Sequence, residues 1–299
     1  MEQNEKQIQE GENVSNESKQ PVAPQRKFPR WGELFAVVGV FVLSNILASI
    51  VMTVVLAATG HSAVTIPEDM GWLFPVVQIL TFLPVILFVV YLRRRAGLKH
   101  TGVHLTFRRM NAPMILWGVL LVFVSSMVIE PLLNLLPDAG MDALDDMMGN
   151  GGWSVLSAVV IAPVLEEYLF RGLFIDSARR RMNALWAVLI SSALFGLAHG
   201  IPQQAFNAFV VGLILGYVYV RTNSLAAVIT IHAINNGISY VLLELFGSST
   251  VLMKDLIAND TIYYIVYGVC FVIFVVSMIK FVVSLRDSDE IVGVDNKTE

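Results

Sequence analysis

The feature that most constrains this sequence is the repetition of apolar windows about as long as a membrane is thick. A helix needs roughly 20 apolar residues to cross the ~30 Å hydrocarbon core of a bilayer. With 56% hydrophobic and 15% charged residues, the composition also departs from that of a soluble domain. We therefore expect an all-α, multi-pass protein of the plasma membrane, with about eight spans at 33–58, 71–92, 112–136, 153–175, 183–199, 203–220, 224–246 and 261–285.

Basic residues mark one side of this predicted bundle. They precede the first window and follow the second, fourth, sixth and eighth, whereas the connectors 59–70 and 137–152 contain neither Lys nor Arg. Because basic loops are retained in the cytoplasm, both termini are predicted to be cytoplasmic. We divide the chain into a disordered cytoplasmic tail at 1–30, a transmembrane domain at 31–286 and a second cytoplasmic tail at 287–299.

Several classes of site are disfavoured by composition. The net charge is −4 and the basic residues are scattered, so no nucleic-acid partner is expected. Cys270 is the single cysteine, which excludes an internal disulfide and a cysteine-based zinc site. The aspartates of 137–152 lack the spacing of a calcium loop and indicate a solvated connector. Gly212 and Gly216 form a small-xxx-small pair, which predicts close helix packing inside the bundle and leaves a homodimer as the alternative.

The fourth window contains three charged residues, Glu166, Glu167 and Arg171. A charge at the centre of a membrane helix costs about 2.5–3.5 kcal/mol on insertion scales, so three together require partners or a task. Residues four apart share a helix face, which predicts an ion pair between Glu167 and Arg171. Glu166 is then left without a cation in its own helix and is the candidate metal ligand or general base.

Two further polar stretches lie in the windows that follow. Phe195 precedes His199 by four residues, and His232 precedes Asn236 by the same interval. Each stretch therefore presents an imidazole on one helix face together with a neighbour that can position it. We expect these windows and the fourth to converge on a cavity near the middle of the membrane.

One carboxylate and two imidazoles around a cavity fit a hydrolytic site in two ways. With a divalent metal, for which zinc is expected, Glu166, His199 and His232 are the tentative ligands and a water occupies the fourth position. Without a metal, Glu166 and His199 activate the water directly, while His232 and Asn236 stabilise the developing oxyanion. Both schemes use the same side chains, and the sequence leaves both open.

At these residues the sequence resembles the CPBP intramembrane proteases, also called the CAAX-protease or Abi family, which includes bacteriocin-processing and self-immunity proteins. The family motifs EExxxR, FxxxH and HxxxN are matched in order within a core at 150–246. The resemblance implies an all-helical membrane endopeptidase of a group commonly described as metalloproteases. In it, Glu166 and His199 activate water, His232 and Asn236 complete the site, and structural support comes from Glu167, Arg171 and Phe195. The expected substrate is a membrane-embedded peptide or protein.

Other interpretations of the same residues remain open. The Glu167–Arg171 pair is compatible with a purely structural role, and His199 with an interfacial histidine at a helix end. An intramembrane glutamate with two histidines is also typical of a proton relay in a transporter. The absence of a second copy of these motifs in the first half of the chain disfavours the transporter. A scaffold or immunity protein that cleaves nothing is the remaining alternative.

Overall fold

The computed structural model describes residues 28–61, 66–98, 110–137, 140–148, 151–247 and 253–295. Over these residues the protein is helical and contains no strand, which confirms the predicted all-α class. The prediction of a disordered tail falls mainly on residues 1–27, which lie outside the described residues. The connector 137–152, which we expected to be solvated, contains a short helix, α4, at Met141–Met148.

Six helices are long and apolar enough to cross a membrane, judged by length and composition. They are α1 (Trp31–Ala58), α2 (Leu73–Arg95), α3 (Ala112–Leu133), α7 (Pro202–Thr222), α8 (Leu225–Phe246) and α10 (Asp260–Asp295). The apolar part of α10 ends at Leu285. Two minor elements are a 3-10 turn at Glu68–Met70 and α9 at Met253–Leu256.

The other two predicted spans have a different form. The span at 183–199 corresponds to α6 (Ala184–His199), which has 16 residues. At 1.5 Å per residue this helix is about 24 Å long, shorter than the ~30 Å hydrocarbon core. The span at 153–175 lies within an interrupted helix, α5 (151–178), made of the consecutive pieces Gly151–Val155, Leu156–Ile161, Ala162–Glu167, Tyr168–Ile175 and Asp176–Ala178.

The interruptions of α5 are two π-helical segments, at Leu156–Ile161 and Tyr168–Ile175. Pro163 lies between them, and a proline inside a helix removes one backbone donor and crowds the carbonyl one turn earlier. A π segment shifts the hydrogen bonds from four to five residues and so re-aims the side chains around it. The six-residue α piece that carries Glu166 and Glu167 is therefore bounded on both sides by a change of helical register.

Capped helix starts and a close helix–helix contact position α6, α7 and α8. Asn183 caps α6 by accepting the Trp186 N–H at 2.9 Å, and Ser224 caps α8 by accepting the Ala227 N–H at 3.2 Å. A Cβ at Gly212 would lie 3.0 Å from the Cβ of Ser192, and one at Gly216 would lie 2.8 Å from Val188. The small-xxx-small pair thus packs α7 against α6 inside the bundle.

The hydrophobic core lies toward the basic end of the bundle. Ile175, Leu215 and Tyr219 are completely buried there, together with the start of α8. Arg93 of α2 is 1% exposed in the same region and donates to the Leu173 carbonyl at 2.9 Å and to Asp176 at 2.8 Å. The other half of the bundle contains a cavity of about 600 Å³.

Candidate active site

The innermost part of the site is a charged cluster that joins α5 to α8. Nη1 of Arg171 donates to Oε1 of Glu167 at 2.8 Å, which is the ion pair that the four-residue spacing predicted. The same Oε1 lies 2.8 Å from Nδ1 of His232. Because a carboxylate oxygen accepts, His232 carries a proton on Nδ1, and in the neutral imidazole Nε2 is then the acceptor. Glu167 therefore fixes both the tautomer and the orientation of His232.

The Arg171 guanidinium is held by two further contacts. Nη2 donates to the Gly212 carbonyl of α7 at 3.2 Å, and the charge lies 4.5 Å from the centre of the Phe195 ring. Arg171 and Glu167 are both 0% exposed, so neither charge is solvated by bulk water. Breaking such a pair by removing one partner is far more costly than the pair's net contribution. This cluster fixes α5, α6, α7 and α8 in one relative position.

Glu166 occupies a different environment from its neighbour. Its Oε1 accepts from Nε2 of Gln78 on α2 at 3.4 Å, and its Oε2 lies 3.8 Å from Nε2 of His232. Both atoms of that second pair are acceptors when the imidazole is neutral. A separation of 3.8 Å is too long for a direct hydrogen bond, yet one water placed about 2.8 Å from each atom can bridge them.

His199 ends α6 and is half-buried. Its Nδ1 lies 2.8 Å from the Phe195 carbonyl, an oxygen that can only accept, so Nδ1 carries the proton and Nε2 is free. The Phe195 ring lies edge-on to both imidazoles, with centroids 4.8 Å from His199 and 5.7 Å from His232. Phe195 therefore contacts both imidazoles and brings the end of α6 close to His232 on α8.

Asn236 connects α8 to the first π segment of α5. Its Nδ2 donates to the Ala158 carbonyl at 2.8 Å, which leaves the second N–H of the amide available. Asn235 lies beside it, with its Nδ2 3.5 Å from Oδ1 of Asn236. The Asn236 side chain is therefore held across the α5–α8 contact, facing the same space as His232.

The predicted site residues divide into two groups around the cavity. Glu166, Phe195, His199, His232 and Asn236 line it, which brings the three sequence motifs to one space. Glu167 and Arg171 are behind this wall. The expected convergence of the fourth, fifth and seventh windows is thus observed in the arrangement of α5, α6 and α8.

Sequence reasoning missed the polar residues contributed by other helices. Gln78 of α2 contacts Glu166 and lines the cavity. The Ser126 hydroxyl of α3 donates to Asn207 of α7 at 2.8 Å, and these two residues also line the cavity. Asn45 of α1 also lines it. The available signal was an amide inside an otherwise apolar window, which is costly in lipid unless it faces protein or water.

A zinc site requires three or four N, O or S ligands that converge on one point. Among the described residues, no three His, Cys, Asp or Glu side chains are grouped so that they hold a metal ion. Glu166 and His232 are adjacent, and both histidines present Nε2, but the tentative set Glu166, His199 and His232 does not form ligand geometry in this arrangement. The divalent metal, with zinc expected, stays a prediction from the sequence.

Comparison with known proteins confirms the resemblance suggested by the motifs. Residues 149–238 match the family model described as type II CAAX prenyl endopeptidase Rce1-like. This region contains all three motifs and the π-interrupted helix α5. No solved structure matches the chain at a significant level.

Three bacterial relatives are similar to parts of the chain. An uncharacterised 24.3 kDa protein of Escherichia coli is 29% identical over 152 residues, 48% of this chain and 69% of that protein. The membrane-embedded CAAX protease MroQ of Staphylococcus aureus (strain USA300) is 34% identical over 84 residues, 26% of this chain and 34% of that protein. YdiL of Bacillus subtilis (strain 168), described as a candidate membrane peptidase, is 27% identical over 82 residues, 27% of this chain and 34% of that protein. The chain thus spans only about a third of two of these relatives.

Proposed function

We propose that this multi-pass membrane protein is an intramembrane endopeptidase that hydrolyses a peptide bond of a membrane-embedded protein or peptide. The observation that supports this most strongly is that Glu166, His199, His232 and Asn236 line one cavity, and that Nε2 of neither imidazole is hydrogen-bonded within the part of the chain that the structure describes. Hydrolysis of an amide needs a group that deprotonates water and donors that stabilise the oxyanion. Those four side chains supply both.

Water activation is assigned to Glu166 and His199. Glu166 is a carboxylate without a cation of its own, since Arg171 is bound to Glu167 instead. A water between Glu166 and Nε2 of His232 would be held at one edge of the cavity, within reach of a substrate carbonyl. Glu166 takes one proton of the attacking water. His199 receives that proton at Nε2, which faces the same space, and delivers it to the nitrogen of the leaving amine as the C–N bond breaks.

Oxyanion stabilisation is assigned to His232 and Asn236. The second amide N–H of Asn236 is available for a developing negative charge, because the first is bound to Ala158. His232 becomes a donor at Nε2 when it is protonated, and Glu167 stabilises that charge through Nδ1. Glu167 and Arg171 are therefore positioning residues, which act through His232 and not on the substrate.

A divalent metal is kept as a proposed cofactor, with Glu166, His199 and His232 as its ligands. When bound, such a metal would polarise the substrate carbonyl or acidify a water. The described side chains need to rearrange before they form that ligand set. Elemental analysis of the purified protein beside Glu166→Ala and His199→Ala decides the matter, since a resident zinc would be present near one per chain and lost in both variants.

The substrate class follows from the environment of the site. The printed name of MroQ assigns that protein to CAAX proteases, and the family model names prenyl endopeptidases. For this chain we propose only that the substrate reaches the site as a membrane-embedded peptide or protein, because the cavity is surrounded by helices that cross the membrane. The bilayer is then part of the substrate's environment, and a homodimer remains a further candidate partner.

The test is cleavage of a fluorogenic membrane peptide by the detergent-purified full chain. Glu166→Gln and His199→Ala should each lower kcat at least 100-fold, the range of general acid–base catalysis. Ser126→Ala is the matched control, because it alters the same cavity wall away from the three motifs and should retain activity within a few-fold. Full cleavage by Glu166→Gln with a normal thermal unfolding profile would contradict the assignment of Glu166 to water activation. No cleavage by the folded wild-type chain would contradict the proposed activity and favour a scaffold.

A further inference from the structure

The cavity is not centred in the bundle. It is lined by the first half of α2, the second half of α3, the first half of α7 and the end of α6 at His199. On α5 the lining begins at Ser154, near the start of the helix, and its last member is Phe170. All these segments lie in the same half of the bundle, at the end where Gly140 and Ile201 complete the lining.

The opposite end of the bundle is closed by packing. Below the site, Ile175, Leu215, Val218 and Val228 are each 0% exposed. Arg93 and Arg171 are also enclosed there, and their Nη atoms donate to acceptors on α5 and α7. Since protein interiors pack at the density of organic crystals, no path for a peptide runs through this layer. Access from water to Glu166 is therefore from the Gly140 end.

The two ends of the bundle carry opposite charge. The closed end has Arg94 and Arg95 at the end of α2, Arg179, Arg180 and Arg181 after α5, and Arg221 in the last turn of α7. The cavity end has Asp69, Asp142, Asp145, Asp146 and Asp260. In the described part of the chain, Lys254 is the lone Lys or Arg at that end. By the positive-inside rule the closed end faces the cytoplasm.

We infer that the active-site cavity opens to the outer side of the membrane, so that this chain cleaves membrane-anchored peptides whose scissile bond is presented from outside the cytoplasm. A carboxy-terminal peptide that stays in the cytoplasm would have to cross the packed layer around Ile175 and Arg171 to reach Glu166. The substrate class rests on the proposed function. The side on which the cavity opens does not, because it follows from packing and charge alone.

The side of opening is tested by thiol labelling of the full chain in its own membrane. Cys270 is the only cysteine, so Cys270→Ser gives a cysteine-free background. Ser126→Cys and Ser239→Cys place a thiol on the cavity wall, away from the residues assigned to chemistry. Asp142→Cys marks the exposed surface at the cavity end, and Arg179→Cys marks the exposed surface at the closed end. The probe is a membrane-impermeant maleimide, applied to intact cells and to inverted vesicles.

In intact cells, we expect Ser126→Cys, Ser239→Cys and Asp142→Cys to react with the maleimide at least tenfold faster than Arg179→Cys. In inverted vesicles, Arg179→Cys should react readily. Labelling of the cavity positions only in inverted vesicles, or from neither side, would overturn the inference. The measurement needs no catalysis, so its failure is separate from failure of the proposed peptidase activity. If the cavity positions label from outside while the folded wild-type chain shows no cleavage, the inferred opening stands and the proposed function fails.

Discussion

At the scale of single residues, the two adjacent glutamates have separate tasks because their environments differ. Glu167 is completely buried and bound by Arg171 and His232. Glu166 lines the cavity and, among the described residues, is at hydrogen-bond distance from Gln78 alone. Sequence spacing was sufficient to predict the Glu167–Arg171 pair. It could not predict the bond from Glu167 to His232, because that bond depends on how α5 and α8 cross.

Replacing Glu167 tests whether it positions His232. In Glu167→Ala the buried Arg171 loses its counterion, which is expected to cost about 3–5 kcal/mol of folding free energy. Glu167→Gln keeps an acceptor for His232 Nδ1–H but loses the charge, so it should be less destabilised and should lower kcat with little change in KM. Thermal unfolding in detergent and cleavage kinetics measure the two effects.

The control for Glu167 is Glu33, a half-buried acid in the first turn of α1 that accepts the backbone N–H of Arg30 at 2.8 Å. Glu33→Gln removes a charge of the same kind far from the cavity and should change neither stability nor kcat appreciably. A Glu167→Ala variant as stable and as active as the wild type would show that the buried cluster fixes neither the fold nor the imidazole.

At the scale of helices, the apolar windows predicted where most elements lie but not how α5 is built. Its two π segments depend on a shift of hydrogen-bond register, which side-chain periodicity does not record. Pro163 was the available signal for an irregularity at that place. Likewise, Arg93 directly follows the second predicted window, where the sequence indicates a basic loop, yet it is buried in α2 because Asp176 and Ser177 bind it.

The contact between α6 and α7 gives the second prediction. A Cβ at Gly196 would lie 2.6 Å from the Ala205 carbonyl oxygen and 3.1 Å from Cβ of Phe209, so the two helices must separate to accept it. Gly196→Ala should therefore destabilise the protein by about 1–3 kcal/mol. It should also lower activity, because His199 follows on the same helix and would shift with it.

Gly39→Ala is the matched control for this change, since α1 has nothing within 4 Å of a Cβ at that position. Alanine is favoured over glycine in a helix interior by about 0.5–1 kcal/mol, so Gly39→Ala should be neutral or slightly stabilising. Thermal unfolding of both variants in one detergent provides the comparison. Equal stability of the two would mean that the α6–α7 contact tolerates an added methyl group.

At the scale of the whole molecule, the cavity is completed by segments outside the region that matches the family. Residues 149–238 supply the motifs, whereas α1, α2 and α3 supply Asn45, Gln78 and Ser126. The carboxylate of Glu130 on α3 accepts the backbone N–H groups of Met253 at 2.8 Å and Lys254 at 3.1 Å. This contact joins α3 to the start of α9, and Glu130 itself lines the cavity.

The final prediction tests the contact between Glu130 and the backbone of α9. Glu130 is 1% exposed, so Glu130→Ala leaves two backbone donors without their acceptor, each at a cost of about 1–3 kcal/mol. Glu130→Gln retains one acceptor oxygen and should lose roughly half as much, measured by thermal unfolding of the full chain. Glu130 lies on the cavity wall outside the three motifs, so the surviving folded fraction of both variants should keep the wild-type kcat. A variant that unfolds normally but loses kcat would instead make Glu130 part of the chemistry, and the outer end of the cavity would then belong to the active site.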